Sequence, residues 1–358
     1  MRKKVLHIIS STSWRGAEQQ VDYMFNSHSA EFEIYLFCAE NCALSKRNQD
    51  QKERIFTYKK RFGFDVFAAL ELKKVCTKNK IDLIHLHDSH AINTYVLADL
   101  FGMNIPAIIH RHVNFTISHK WKYQHKKIKK IICVSKEVKR NLVAFISEEK
   151  LIVVNPGIKM SQWSMVNGQW NNKIKNELNL SNETKLIGIV AALEKEKNIE
   201  EFIAIANKII EKKNDVHFVI VGDGSLILNL KAQILNLKAN IYFLGFRNDI
   251  PEILSGFDVF LFTSKNEGFG QVLLEAMASK VPIVSSNFST VKEIIENGKT
   301  GFIYKDIEEA ISNIGCLIAD VELRNIITKN AFSFVQQFDL SLMNKKIEEV
   351  YSSLNIEY

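Results

Sequence analysis

The chain has 358 residues, 46% of them hydrophobic and 24% charged, with a formal net charge of +7. That length exceeds the size at which one hydrophobic core usually stops growing, so two domains are expected, and no apolar run approaches the roughly 18 residues of a membrane-spanning helix. Cysteines at 38, 42, 76, 133 and 316 form neither a disulfide framework nor a paired metal spacing, which fits a reducing cytoplasm.

The opening Met1 to Ser10 is basic, but its apolar run is short and contains His7, so it reads as a strand and not as a signal segment. Strand-like segments then alternate with helical spacing. In the first half they are Val5 to Ile9, Glu33 to Phe37, Arg54 to Tyr58, Asp82 to His87, Ala107 to Arg111, Lys130 to Val134 and Leu151 to Val154, with helices such as Glu18 to Asn26 and Asp65 to Lys78 between them. Asn155-Pro-Gly157 breaks the pattern, and the polar stretch Ser161 to Lys173 reads as an interdomain connection. Strands resume at Lys185 to Val190, Val216 to Val221, Ile241 to Leu244, Phe257 to Phe262 and Pro282 to Ser285. This alternation predicts an α/β protein with two parallel sheets and crossover helices.

Charge is unevenly shared. Residues 1–180 hold 29 Lys and Arg against 16 Asp and Glu, and the remainder 18 against 24, so the surplus belongs to the first half. It concentrates in Lys59-Lys60-Arg61 and in His119 to Lys130, where Trp121 and Tyr123 are interleaved. Three readings are open: a solvated face, a patch drawn to anionic lipid at roughly 1 kcal/mol per basic residue, and nucleic-acid binding, which no accompanying motif supports.

Ligands of open parallel sheets sit beyond the carboxyl ends of the strands, so residues that follow strands carry the information. Glu267-Gly-Phe-Gly-Gln-Val-Leu-Leu-Glu275-Ala-Met-Ala follows one. From Gly268 to Ser279 the spacing is helical, so a glycine loop meets a helix N-terminus. Free amides and the helix dipole there suit a diphosphate, and Gly268 and Gly270 allow close approach. Glu275, about two turns into that helix, has the length and charge to bind a ribose diol, and Glu267 could reach sugar hydroxyls. His85 and His87 share one strand face and His110 and His112 another. Four histidines on neighbouring strands have zinc-binding chemistry, with a structural role as the plainer alternative. Val221-Gly-Asp-Gly224 invites a dinucleotide reading, but Ile227 leaves G-x-G-x-x-G incomplete.

Glu267-Gly-Phe-Gly, Glu275-Ala-Met-Ala and Val281-Pro-Ile-Val-Ser285 together resemble the E-x7-E signature of family 4 glycosyltransferases, retaining enzymes of GT-B fold. The resemblance implies two Rossmann-like domains facing across a cleft. Residues 1–160 would form the acceptor-side domain and 161–339 the nucleotide-sugar domain, with the helix in 340–358 packing back on the first. Ser13-Trp-Arg-Gly-Ala-Glu18 resembles the family's Gly-Gly-x-Glu loop with Arg15 in place of the first glycine, so Gly16 would face the donor phosphate. Ala191-Ala-Leu-Glu-Lys-Glu-Lys197 resembles its Arg-Leu-x3-Lys motif, in which Lys197 fits and Ala192 stands at the arginine position. Arg15 and Arg111 are candidates to replace that cation. Leu244-Gly-Phe-Arg247 resembles the loop that contacts the base through backbone groups. His112 occupies the place of the T-x-H histidine, which would contact the sugar.

The resemblance therefore implies a retaining glycosyltransferase that moves a sugar from a nucleoside diphosphate donor to a hydroxyl of a glycan or glycolipid. Gly16, Lys197 and the amides of Gly268, Phe269 and Gly270 would hold the diphosphate, Glu275 the ribose, and Glu267 and His112 the sugar. No metal and no further cofactor is implied, and domain closure would leave neither half active alone. By analogy the acceptor belongs to bacterial lipopolysaccharide, capsule or another surface glycan, and the enzyme would be cytoplasmic or peripheral on the inner face of the membrane. A nucleotide-sugar epimerase of GT-B architecture and a non-catalytic basic polyanion-binding protein remain as alternatives.

Overall fold

The computed structural model describes residues 2–164, 173–213, 215–234 and 240–354. The chain folds as two compact units, one of Met1–Gly157 with Leu340–Tyr358 and one of Ile158–Asp339. The stretch read as the connection lies mostly outside the described residues. Its described ends are short helices, Met160–Ser164 and Lys173–Glu177, both within the second unit.

In the first unit, β1 (Lys3–Ile9), β2 (Phe32–Ala39), β3 (Ile55–Tyr58), β4 (Leu83–Leu86), β5 (Ala107–Arg111), β6 (Ile128–Cys133) and β7 (Leu151–Val153) form a sheet in the order β3-β2-β1-β4-β5-β6-β7. Every pairing is parallel. The central strands carry near-continuous apolar runs because helices cover both faces of such a sheet. In the second unit, β8 (Lys185–Val190), β9 (Val216–Val221), β10 (Ile241–Gly245), β11 (Val259–Phe262), β12 (Ile283–Ser286) and β13 (Phe302–Tyr304) form another parallel sheet, ordered β10-β9-β8-β11-β12-β13. Sequence periodicity missed β13, a three-residue strand that pairs with β12 and is too short to show an alternation.

Both sheets grow outward from their first strand in two directions. The strand order therefore reverses between β1 and β4 in one unit and between β8 and β11 in the other, and loops leaving adjacent strands part to open a crevice at the carboxyl edge. The last helix, Leu340–Ser352, belongs to the first unit. Its Met343, Ile347, Val350 and Tyr351, spaced to lie on one face, are buried in the core of that sheet with Val5, Leu83 and Ile108. Burying each is worth roughly 1.5–3 kcal/mol, enough to hold a terminal helix in place.

Candidate active site

At the switch point of the second unit, the loops after β8 and β11 are laced together. Thr263 donates its hydroxyl to the Lys197 carbonyl (2.9 Å), the Lys265 amide donates to the Glu196 carbonyl (2.9 Å), and Ser286 donates to the Ser264 carbonyl (2.6 Å). Thr290 in turn donates to the Phe269 carbonyl (3.3 Å). These bonds fix two side chains against each other: Lys197 Nζ lies 2.5 Å from Glu267 Oε1, both groups largely but not wholly screened from water. A phosphate-suited cation and a sugar-suited carboxylate thus share one spot.

Helix Gln271–Ala278 starts immediately after. It begins three residues later than the sequence spacing suggested, because Gly270 takes a left-handed conformation (φ 99°) that ends the loop. Consequently Glu275 stands just past the first turn and not two turns in. It is buried at 8% exposure, which is unusual for a carboxylate and expected only where other groups satisfy it.

Val221-Gly-Asp-Gly224 follows β9, next to β8. A Cβ on Gly222 would come within 1.9 Å of the Ala191 carbonyl oxygen, and one on Gly224 within 2.5 Å of that of Leu193. Leu193 donates its amide to the Asp223 carbonyl (2.9 Å) and Gly222 donates to Gly245 (2.8 Å). These glycines let neighbouring strand-end loops touch, which accounts for the motif without a dinucleotide. In the loop after β10, Arg247 is clamped by Glu177 (2.6 Å) and Asp249 (2.7 Å). The guanidinium holds the Asp249 carboxyl well below the usual carboxylate range. The Gly245 and Phe246 backbone, not the Arg247 side chain, is what this loop has to offer.

In the first unit, Gly16 opens helix Gly16–Phe25, and the Arg15 amide donates to Glu18 Oε2 (2.9 Å). Arg15 and Gly16 are exposed. Arg111 is committed within its unit, donating to the Tyr123 hydroxyl (3.1 Å) and the Phe115 carbonyl (2.6 Å). His112 is reached by a hydrogen-bonded chain that sequence reading only half anticipated. His85 Nδ1 meets the Tyr351 hydroxyl (2.7 Å), which meets His7 Nε2 (3.0 Å). His7 Nδ1 meets His87 Nε2 (3.0 Å), and His87 Nδ1 meets His112 Nε2 (3.1 Å). His110 stacks on His85 and His112 with ring centroids 5.4 and 4.2 Å away. A neutral imidazole has one donor and one acceptor nitrogen, so uncharged rings running in one sense satisfy this chain. Burial accordingly pushes His7 down to about 3, as it does His112, helped there by the Arg111 charge. Burial and the neighbouring rings lower His85, His87 and His110 as well.

Two triads, His7 with His85 and His87, and His87 with His110 and His112, bring ligand nitrogens within 4.8 Å of one another. That is metal-binding chemistry. Both nitrogens of His7 and of His87 are already used in the chain, so an ion would have to displace those bonds. His7 and Tyr351 were missed from sequence. His7 pairs directly with His85 across β1 and β4, a register that no local pattern reveals. A cavity of about 510 Å³ lined by Arg2, His28, Phe32 and Arg54 opens at the strand-start end of this sheet, away from these residues.

Residues 14–162 match the family model of Glycosyltransferase Family 4, and residues 171–334 match that of Glycosyl transferases group 1. The chain belongs to the family 4 glycosyltransferases. Among relatives of this glycosyltransferase, an Escherichia coli UDP-Gal:alpha-D-GlcNAc-diphosphoundecaprenol alpha-1,3-galactosyltransferase is 29% identical over 350 residues, covering 90% of this chain and 89% of the relative. A Bacillus anthracis N-acetyl-alpha-D-glucosaminyl L-malate synthase is 25% identical over 302 residues, covering 80% and 79%. The crystal structure of Anabaena HepE in complex with UDP and glucose superposes with a TM-score of 0.85 at 21% identity, covering 99% of this chain and 100% of that one. At that identity the likeness shows the glycosyltransferase's fold, GT-B, and no more.

Proposed function

We propose that the protein is a retaining hexosyltransferase, moving a sugar from a nucleoside diphosphate to a hydroxyl of a lipid-linked glycan during bacterial surface glycan synthesis. The carrying observation is the Lys197–Glu267 pair at the switch point, one loop before a helix that buries Glu275. Lys197 and the amides of Gly268, Phe269 and Gly270 hold the diphosphate and meet the charge that grows on it as the glycosidic bond breaks. Glu275 takes the ribose and Glu267 the sugar hydroxyls, and within the first unit His112 is the group suited to a sugar hydroxyl. Retention follows from the family pattern, with acceptor attack on the face the diphosphate leaves. In this reading no metal serves the donor, so chelators leave transfer intact.

The E. coli relative's name favours a UDP-sugar and a diphosphate-linked lipid acceptor, and HepE's bound UDP agrees with that base. Among the described residues no helix is long and apolar enough to cross a membrane. We place the enzyme in the cytoplasm, at the inner membrane face where such an acceptor is presented.

The test is thermal stabilisation of wild type and Glu275→Ala by UDP, GDP, ADP and CMP, each with a sugar panel. One diphosphate should stabilise wild type, and loss of one or two charged hydrogen bonds should weaken it roughly tenfold to a thousandfold in the variant. No shift with any nucleotide, or equal shifts in a folded variant, sinks the reading. Net isomerisation of the donor without acceptor would instead indicate an epimerase.

A further inference from the structure

We propose that the first unit docks onto an anionic bilayer through the loop after β3, Lys59 to Leu70, with its phenylalanines entering the headgroup boundary. Phe62, Phe64 and Phe67 are 57%, 47% and 62% exposed, and Val66 and Leu70 beside them are exposed too. Single exposed apolar residues are ordinary, but five within nine positions, two in the loop and three in the first turns of helix Val66–Asn79 that follows it, mark an interaction surface.

The loop is built to hold them outward. Asp65, wholly buried, caps helix Val66–Asn79 by accepting the Ala68 amide (3.1 Å) and also accepts the Arg61 amide (3.1 Å). The Arg61 guanidinium lies 3.7 Å from Asp65 and 4.7 Å from the centre of the Phe67 ring. Asn93 donates to the Gly63 carbonyl (3.0 Å). The aromatic rings therefore ride on a fixed turn, so docking has little backbone left to order.

Charge selects the occupant. Lys59 and Lys60 are exposed beside the rings, Arg61 completes the triplet, and no acidic side chain other than the buried Asp65 interrupts residues 59–70. Cations at headgroup depth above inserted aromatics form the interfacial pattern of anionic membranes. Lys122, a buried member of the second basic run, donates to Asn93 (3.3 Å), the residue that holds Gly63, and so braces the same turn. All strands are parallel, so this loop lies at the carboxyl edge of the sheet, the edge that carries His112. A lipid-held acceptor would present its sugar there. That purpose rests on the glycosyltransferase reading, whereas docking itself does not.

Co-sedimentation of the full chain with phosphatidylglycerol vesicles and with phosphatidylcholine vesicles tests the proposal. Wild type should bind the anionic vesicles at least about tenfold more tightly than the neutral ones, as expected if each basic residue contributes roughly fivefold. The triple variant Phe62→Ser, Phe64→Ser, Phe67→Ser should lose that binding at unchanged melting temperature. Leu228→Ser, at 78% exposure the control in the second unit, should keep it. Absence of wild-type binding, full binding by the triple variant, or self-association that the triple variant abolishes without vesicle binding would each overturn the proposal. Stabilisation by the nucleotide panel, read in parallel, reports separately on the donor site: vesicle binding with no shift from any nucleotide would sink the transferase reading and leave docking standing.

Discussion

The two units repeat one topology and fill its switch point with opposite chemistry. At the carboxyl edge of the second sheet the candidate groups are charged or backbone: Lys197 against Glu267, a buried Glu275, and loops tightened by Gly222, Gly224 and Gly270. At the first, they are five histidines and a tyrosine held uncharged in one hydrogen-bonded and stacked cluster. A diphosphate is met by fixed charge and aligned amides, whereas sugar hydroxyls need groups that both donate and accept without bringing net charge to the reacting carbon. The difference teaches that the fold supplies the place and the loop residues supply the task.

The largest effect that would break this comparison is acidification. His7 and His112 sit at about 3 in the folded chain against an ordinary 6.5. Between those values the unfolded chain binds protons that the folded one refuses, so their stabilisation is complete above about pH 6.5 and is lost as pH falls toward 3. By pH 5 each should have forfeited about 2 kcal/mol, and the other three add to this. Hydrogen exchange followed separately in the two units should show the first loosening between pH 7 and 5 and the second changing far less; equal responses would end the contrast. Next comes Lys197→Met. Removing a charge-assisted partner worth roughly 1.5–3 kcal/mol should weaken nucleoside diphosphate binding by about 10- to 100-fold, with little change in melting because the pair is partly solvated. A titration calorimeter reads this, and unaltered affinity would take Lys197 out of the site. Smallest is Tyr351→Phe, which leaves His85 Nδ1 and His7 Nε2 without their shared hydroxyl. About 1–2 kcal/mol should be lost, seen as a melting decrease of a few degrees with donor affinity kept. A matching fall in donor affinity would mean that this cluster does more than support the first unit's fold.

How legible each region was follows from how local it is. In the second unit, Ala191 to Lys197 and Glu267 to Glu275 are contiguous loops at strand ends, so their residues could be named from sequence. The error there was one of helix phase, because Gly270's left-handed backbone is not written in the helical spacing after it. In the first unit the alternation of His85 with His87 and of His110 with His112 was visible, but the cluster is assembled from three strands and the last helix. Tyr351 arrives from 266 positions beyond His85. Arg111, a candidate for the missing phosphate cation at Ala192, turned out to be tied to Tyr123 and Phe115.

Sequence by itself determined the α/β class, twelve of the thirteen strands among the described residues, the uneven charge and the family, because these rest on periodicity, composition and short contiguous motifs. Only tertiary structure decided that Lys197 meets Glu267, that four histidines and Tyr351 join in one hydrogen-bonded chain with His110 stacked on it, and that Phe62, Phe64 and Phe67 face outward. Pairing register, burial and the direction of a side chain depend on residues far away in the chain, and no local pattern encodes them.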